Sequence, residues 1–262
     1  MGTYNFGVGT LIGRRTGVDA NNTAITTPTP ARFGVVQDVD IEFERTLKEL
    51  IGQYQFAVDI AGGQCKITGK AKFADIQANL YNDMFFGQTL TTGAGVGEQA
   101  VIDESHTAAT TVTIAPPSTG TFVHDLGVFY QATGIELTRV ASAPAVGSYS
   151  VTEPGGVYTF NASEAGTLLI SYSYTVGTGV TTNKLITINN QLMGITPSFE
   201  LHVQLNYPNN SGVVNTLNLK LNSCRSSKLG FPLKNVDYQI PEFDFQAFAD
   251  ASNTIGTITL VR

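Results

Sequence analysis

Apolar and polar residues alternate one for one in several stretches of the chain, and a period of two predicts strands that bury one face. In Asp38-Val-Asp-Ile-Glu-Phe-Glu44 every second residue is acidic, while Val39, Ile41 and Phe43 take the other face. In Cys65-Lys-Ile-Thr-Gly-Lys-Ala-Lys-Phe73 the inward set is Cys65, Ile67, Ala71 and Phe73, and the outward set is Lys66, Lys70 and Lys72. If these two strands are neighbours, opposite charges meet across the ladder, each pair adding about 0.2–1 kcal/mol. The alternative is two unrelated solvated faces. Between them, residues 46–63 carry Leu47, Leu50, Ile51, Tyr54, Phe56, Val58 and Ile60, too apolar a set for an ordinary exposed loop, and Gly62-Gly63 supplies a turn. This segment reads as a long, partly extended arm that leaves the domain, with a neighbouring subunit as the first candidate to cover it. The other reading folds the arm back on its own core.

After Phe73 the period changes. Ile76, Leu80 and Met84 recur at i, i+4 and i+8, Asp75 stands near the start and Gly87 just past the end. The spacing predicts one amphipathic helix of about three turns, with an acid favouring its N-terminus and a glycine for the left-handed stop. Short strand signals then crowd residues 98–176, at 111–115, 127–130, 136–140, 149–151, 157–160 and 168–176, punctuated by Pro116-Pro117, Gly134, Pro144, Gly147 and Pro154-Gly-Gly156. Glycine-rich segments at 93–97 and 177–179 flank them like hinges. The pattern predicts a small sandwich-like β-module, 98–176, inserted into a discontinuous β-domain of 1–97 and 177–262. The alternative makes these strands part of the main sheet. From residue 185 onwards long alternation returns: Phe199, Leu201, Val203 and Leu205, then Leu217, Leu219 and Leu221, with a turn at 208–212 between them. Ile240, Phe243, Phe245 and Phe248 form an aromatic run, and Ile258 and Leu260 mark a final strand.

Composition adds that this is a folded but weakly charged protein. Of 262 residues 42% are apolar, which excludes a disordered chain, yet only 14% are charged against the roughly 25% of an ordinary soluble domain. Such a surface suits a molecule largely covered by copies of itself. The net charge of −6 lacks the basic face that sequence-independent DNA binding requires. An acidic surface instead repels phosphate and lets DNA pass without sticking. The first fifteen residues hold no apolar run of signal-peptide length, and no stretch has the apolar length that crosses a bilayer, so the expected compartment is the cytoplasm of synthesis, with no membrane partner. Cys65 and Cys224 are expected there as reduced, buried thiols, a disulfide formed after release into an oxidising medium being the alternative.

The chain offers little chemistry. His106, His124 and His202 stand in separate segments, none at a ligand spacing, and neither cysteine has a metal-binding neighbour. His124-Asp125 resembles half of a catalytic relay, but no GxSxG elbow supplies a nucleophile. Gly7-Val-Gly-Thr-Leu-Ile-Gly13 has the wrong spacing for a dinucleotide fingerprint, and no phosphate-cradling GxxxxGK[ST] occurs. A carboxylate pair for glycoside hydrolysis is compatible with the many acids, while the absence of Trp counts against a carbohydrate enzyme. The reading is therefore of a non-enzyme with no metal, no catalytic residues and no cofactor.

Several phrases in order carry a resemblance. Phe33-Gly-Val-Val-Gln-Asp-Val, Lys48-Glu-Leu-Ile-Gly-Gln-Tyr-Gln-Phe56, Ile67-Thr-Gly-Lys-Ala-Lys-Phe73 and Asn82-Asp-Met-Phe-Phe-Gly87 resemble the tail tube and related tail structural proteins of tailed bacteriophages. So does the closing stretch from Phe231-Pro-Leu-Lys through Ile240-Pro-Glu-Phe-Asp-Phe-Gln-Ala-Phe-Ala-Asp250 to Gly256-Thr. The resemblance covers about two thirds of the chain. The middle module resembles only the Gly/Tyr-rich inserts of assorted phage structural proteins. The resemblance implies a mainly β fold, a tail-tube-type sandwich or barrel with one packed helix, forming hexameric rings that stack head to tail around a channel for DNA. It implies other tail proteins as partners, namely the tape measure, the tail terminator and in some tails a sheath, DNA passing through the lumen without sequence-specific binding, and a place in the virion tail after assembly in the host bacterial cytoplasm. Carried onto this sequence, it makes Leu47, Leu50, Ile51, Tyr54, Phe56, Val58 and Ile60 the inter-subunit residues. It also makes Asp38, Asp40, Glu42 and Glu44 the candidate lumen wall, although either face of the sheet could point inward. The competing readings are another virion role (decoration or tail-terminator protein) and a glycan-binding β-sandwich module.

Overall fold

A computed structural model of the chain describes residues 7, 9–18, 24–75, 77–208 and 214–261. Of the described residues 55% are strand and 5% helix, so the fold is mainly β. By internal contacts the chain divides into two compact units, Met1–Leu90 with Ile186–Arg262, and Thr91–Leu185. In chain order, β1 (Thr10–Thr16) and β2 (Ala31–Arg32) precede a long hairpin of β3 (Val36–Ile51) and β4 (Ala57–Phe73). A short helix follows, α1 (Ala78–Tyr81), whose continuation (Asn82–Phe86) is a π-helical turn. β5 (Leu90–Thr92) leads out to β6 (Glu98–Thr107), β7 (Thr111–Thr113), β8 (Thr121–Tyr130), β9 (Thr138–Arg139), β10 (Ser148–Thr152), β11 (Val157–Phe160) and β12 (Thr167–Thr175). The chain returns through β13 (Lys184–Ile186), which pairs with β5, and ends in β14 (Ser198–Pro208), β15 (Val214–Gly230), β16 (Glu242–Ala247) and β17 (Gly256–Val261).

The first unit is built on one sheet, in the order β2-β1-β14-β15-β16-β4-β3, with β17 also paired to β15. Every neighbour along that path is antiparallel. The alternating residues of the sequence deliver one apolar face: Leu11, Phe73, Phe199, Leu201, Leu221, Phe243 and Phe245 are all buried there, together with Phe33. Phe33 meets Phe73 edge-on at 5.1 Å between ring centroids and lies 5.7 Å from Phe243, so aromatic rings form the centre of this core. Gly69 lies opposite Phe245, and a Cβ on it would sit 2.3 Å from the Phe245 Cζ. Gly69→Ala is therefore expected to overpack the core and destabilise by about 1–3 kcal/mol, readable as a lowered thermal midpoint.

The helix is shorter than its spacing predicts. β4 continues to Phe73, and the amides of Phe73 and Ala74 bond to Pro241 and Val35, which holds the backbone extended up to the predicted first turn. The helix then starts at Ala78 with Gln77 as an extended N-cap, and Asp75 stands outside it, accepting a 2.5 Å hydrogen bond from Gln77 Nε2. Leu80 and Met84 are buried against the sheet on one face, and Ile76 lies outside the described residues. Gly87 ends the helix at φ 65°, a left-handed position that glycine takes without strain. The Arg15 guanidinium donates to the Gly87 carbonyl at 2.9 Å, fixing the helix end to β1. The turn expected at 208–212 also falls largely outside the described residues.

The second unit is a small sandwich. Its sheets, β7-β11-β10-β9 and β6-β12-β8, share no strand with the large sheet. They enclose one core of Val112, Phe122, Val128, Tyr149, Tyr158, Phe160, Leu168, Ile170, Tyr172 and Tyr174. β6 had no counterpart among the expected strands. Glu98–Thr107 carries few apolar residues because it is an edge strand with β12 as its one partner.

Candidate assembly surfaces

The arm expected at residues 46–63 is the far half of the β3–β4 hairpin, continuous with the strands that build the core. Pairing runs from Val36–Phe73 out to Ile51–Ala57, interrupted by irregularities between Val36 and Asp38, between Arg45 and Leu47 and between Leu50 and Ile51. All seven apolar candidates are exposed, from 54% for Ile60 to 82% for Phe56. Core residues stop at Ala71 and Phe73, with Val39, Ile41 and Ile67 partly buried beside them, so nothing of the first unit's core lies under the tip. Tyr54 and Phe56 stand in the five-residue tip between the strands. Burying each of these side chains would contribute about 1.5–3 kcal/mol.

Cys65 marks where the core ends. Expected inside, it is exposed on the arm and accepts a hydrogen bond from Arg45 Nε at 3.2 Å. The alternation persists there, but no second layer covers that face. Cys224 is buried, and burial pushes its thiol up to about 12. A thiol-specific reagent near pH 8 is accordingly expected to label Cys65 quickly and Cys224 only on unfolding, as mass spectrometry of the native protein would show.

The charged faces of β3 and β4 are one surface. Asp38 pairs with Lys72, Asp40 with Lys70 and Glu44 with Lys66. Residues directly opposite across an antiparallel ladder point to the same side. The acidic and lysine rows therefore face the same way, so the candidate acidic wall carries lysines as well. The pattern extends across the sheet. Lys72 and Lys70 pair with Glu242 and Asp244 of β16, and Asp244 pairs with Lys228 of β15, which forms a 3.2 Å ion pair with Glu242. Further along, Lys220 of β15 lies 3.3 Å from Glu200 of β14, and Glu200 lies 2.7 Å from Arg14 of β1. Burial works against the Glu200 charge, yet hydrogen bonds from His202, Arg14 and Lys220 hold its carboxyl below the usual range.

The histidines join no reactive constellation. On the extended β8, His124 and Asp125 point to opposite sides: the imidazole is 66% exposed and the carboxylate 4%. Asp125 instead accepts hydrogen bonds from the buried Tyr149 and Tyr158 hydroxyls, at 2.7 and 2.9 Å, and from the Gly127 amide at 3.1 Å. Burial, reinforced by the Asp125 charge, pushes both tyrosines well above their ordinary value. His202 pairs with Glu200 and His106 with Glu104. Among the described residues no group of three His, Cys, Asp or Glu side chains is placed to hold a metal ion, and no helix is long and apolar enough to cross a membrane.

Sequence reasoning missed two apolar surfaces of the first unit. Leu233, Val236 and Tyr238 project from the loop between β15 and β16, and Leu192 and Met193 from the loop between β13 and β14. Both segments lack any period, which is the signal that marks apolar residues outside a core. Comparison with protein-family models finds no match to the chain, and comparison with curated proteins finds none.

Proposed function

We propose that the chain is a tail tube subunit of a bacteriophage, self-assembling into stacked hexameric rings that form the DNA-conducting channel of the tail. The observation that carries this reading is the arm, seven exposed apolar side chains on a hairpin that extends beyond its own core. A surface of this kind calls for a protein partner. The phage-like phrases support the same reading because they fall on β3, the arm tip, β4, the helix and β16, all within the first unit. In this reading the arm seats on a neighbouring subunit, and the mixed acidic and basic face is the candidate lumen wall. DNA passes without sequence-specific contact, and the chain performs no catalysis. The tape measure and tail terminator are its further partners.

Negative-stain microscopy of the purified chain tests the proposal. Long tubes are the expected result. Single rings would favour a decoration or terminator role instead. Compact monomers that bind polysaccharide would favour the glycan-binding module.

A further inference from the structure

The outward face of the large sheet changes charge sign at every strand from β1 to β3. β1 carries Arg14, β14 Glu200, β15 Lys220 and Lys228, β16 Glu242 and Asp244, β4 Lys66, Lys70 and Lys72, and β3 Asp38, Asp40, Glu42 and Glu44. Beyond β1, β2 adds Arg32, paired with Ile12. The two ends of the sheet thus differ in sign, with an acidic edge on β3 and a basic edge on β1 and β2. Among the described residues β3 ends the strand order, while beside β1 the strand β2 pairs with Ile12 and Gly13, the Phe33 amide bonds the Leu11 carbonyl, and β2 stops short of Arg14.

We propose that the β3 edge of one copy lies beside the β1–β2 edge of the next copy, so that Asp38, Asp40 and Glu42 face Arg14 and Arg32 across the contact. The inference rests on the self-assembly reading above and names the lateral partner within it. An open ladder of unpaired backbone groups favours addition of another strand. Charge decides which strand. Joining β3 to β3 would set one row of carboxylates against another, whereas joining β3 to β1–β2 continues the alternation without a like-charge pair. The contact is therefore heterologous, the kind that generates rings or filaments rather than closed dimers. Direction is also determined. Seven strands lie on the path, each antiparallel to its neighbour, so β2 and β3 run the same way. Copies related by a ring axis then set β3 parallel to the partner's β2 and antiparallel to its β1.

The test is a charge swap with rescue by mixing. One variant carries Asp38→Lys and Asp40→Lys, the other Arg14→Glu and Arg32→Glu. Circular dichroism checks that each is folded, and sedimentation with microscopy measures assembly. Each variant alone is expected to need a concentration higher by on the order of tenfold or more to assemble. An equimolar mixture restores assembly, because each mutated edge then meets its complement. One chain bearing all four changes also assembles, which separates an intermolecular effect from damage inside each sheet. Variants that assemble like the parent, or a mixture that stays unassembled, would overturn the edge pairing while leaving the tube reading intact. A parent chain that remains monomeric at every concentration would overturn both, and would make the edge charges a guard against strand addition.

Discussion

Tyr54→Asp combined with Phe56→Asp is expected to leave the protein folded and, on the proposed tail-tube reading, to abolish tube formation. Both side chains stand at the arm tip, 73% and 82% exposed, so the fold loses almost no burial when they change. In an assembled tube each would contribute about 1.5–3 kcal/mol of buried apolar surface. Replacing both removes about 3–6 kcal/mol per contact and adds two carboxylates that resist desolvation. Since about 1.4 kcal/mol is tenfold, the concentration needed for assembly rises by more than a hundredfold. Unchanged circular dichroism and thermal midpoint would accompany the disappearance of tubes from micrographs. Tubes forming at the parent's concentration would exclude the arm as the interface.

The second large effect is one of stability, in the second unit. Asp125→Ala removes the acceptor shared by the Tyr149 and Tyr158 hydroxyls. Each orphaned buried hydroxyl costs roughly 1–3 kcal/mol, so the variant should lose about 2–6 kcal/mol in denaturant titration. Asp125→Asn keeps a carbonyl acceptor of similar shape and should retain most of the difference. A loss below about 1 kcal/mol for the alanine variant would mean that water satisfies both hydroxyls, and the buried network would then carry no special weight.

Much of this architecture was legible because period-two alternation reports burial directly. Val39, Ile41, Ala71, Phe73, Phe199 and Leu201 face inward as their spacing predicts. The pattern failed where burial depends on something other than the strand itself. Cys65 keeps its place in the alternation but has no second layer above it. β6 is an edge strand with little apolar content and a bulge at Asp103, so no clean alternation marks it. The helix was anticipated from Leu80 and Met84, but its start was decided by the β4 ladder, a tertiary constraint that no local spacing encodes. For the candidate surfaces, the seven arm residues were identifiable by their excess of apolar character. The joining of the acidic and lysine rows into one face required the register.

The short β5–β13 ribbon bears on how such a chain can change over evolutionary time. The polypeptide departs along one strand and comes back along its paired neighbour, and paired strands lie about 4.8 Å apart. Everything between Thr91 and Leu185 is thus an excursion that begins and ends at nearly the same place. A coding segment with that property can be lengthened, swapped for an unrelated module or deleted in one recombination event, without rerouting β4 or β14. The connection geometry would therefore let the sandwich be replaced with the least disturbance to the large sheet.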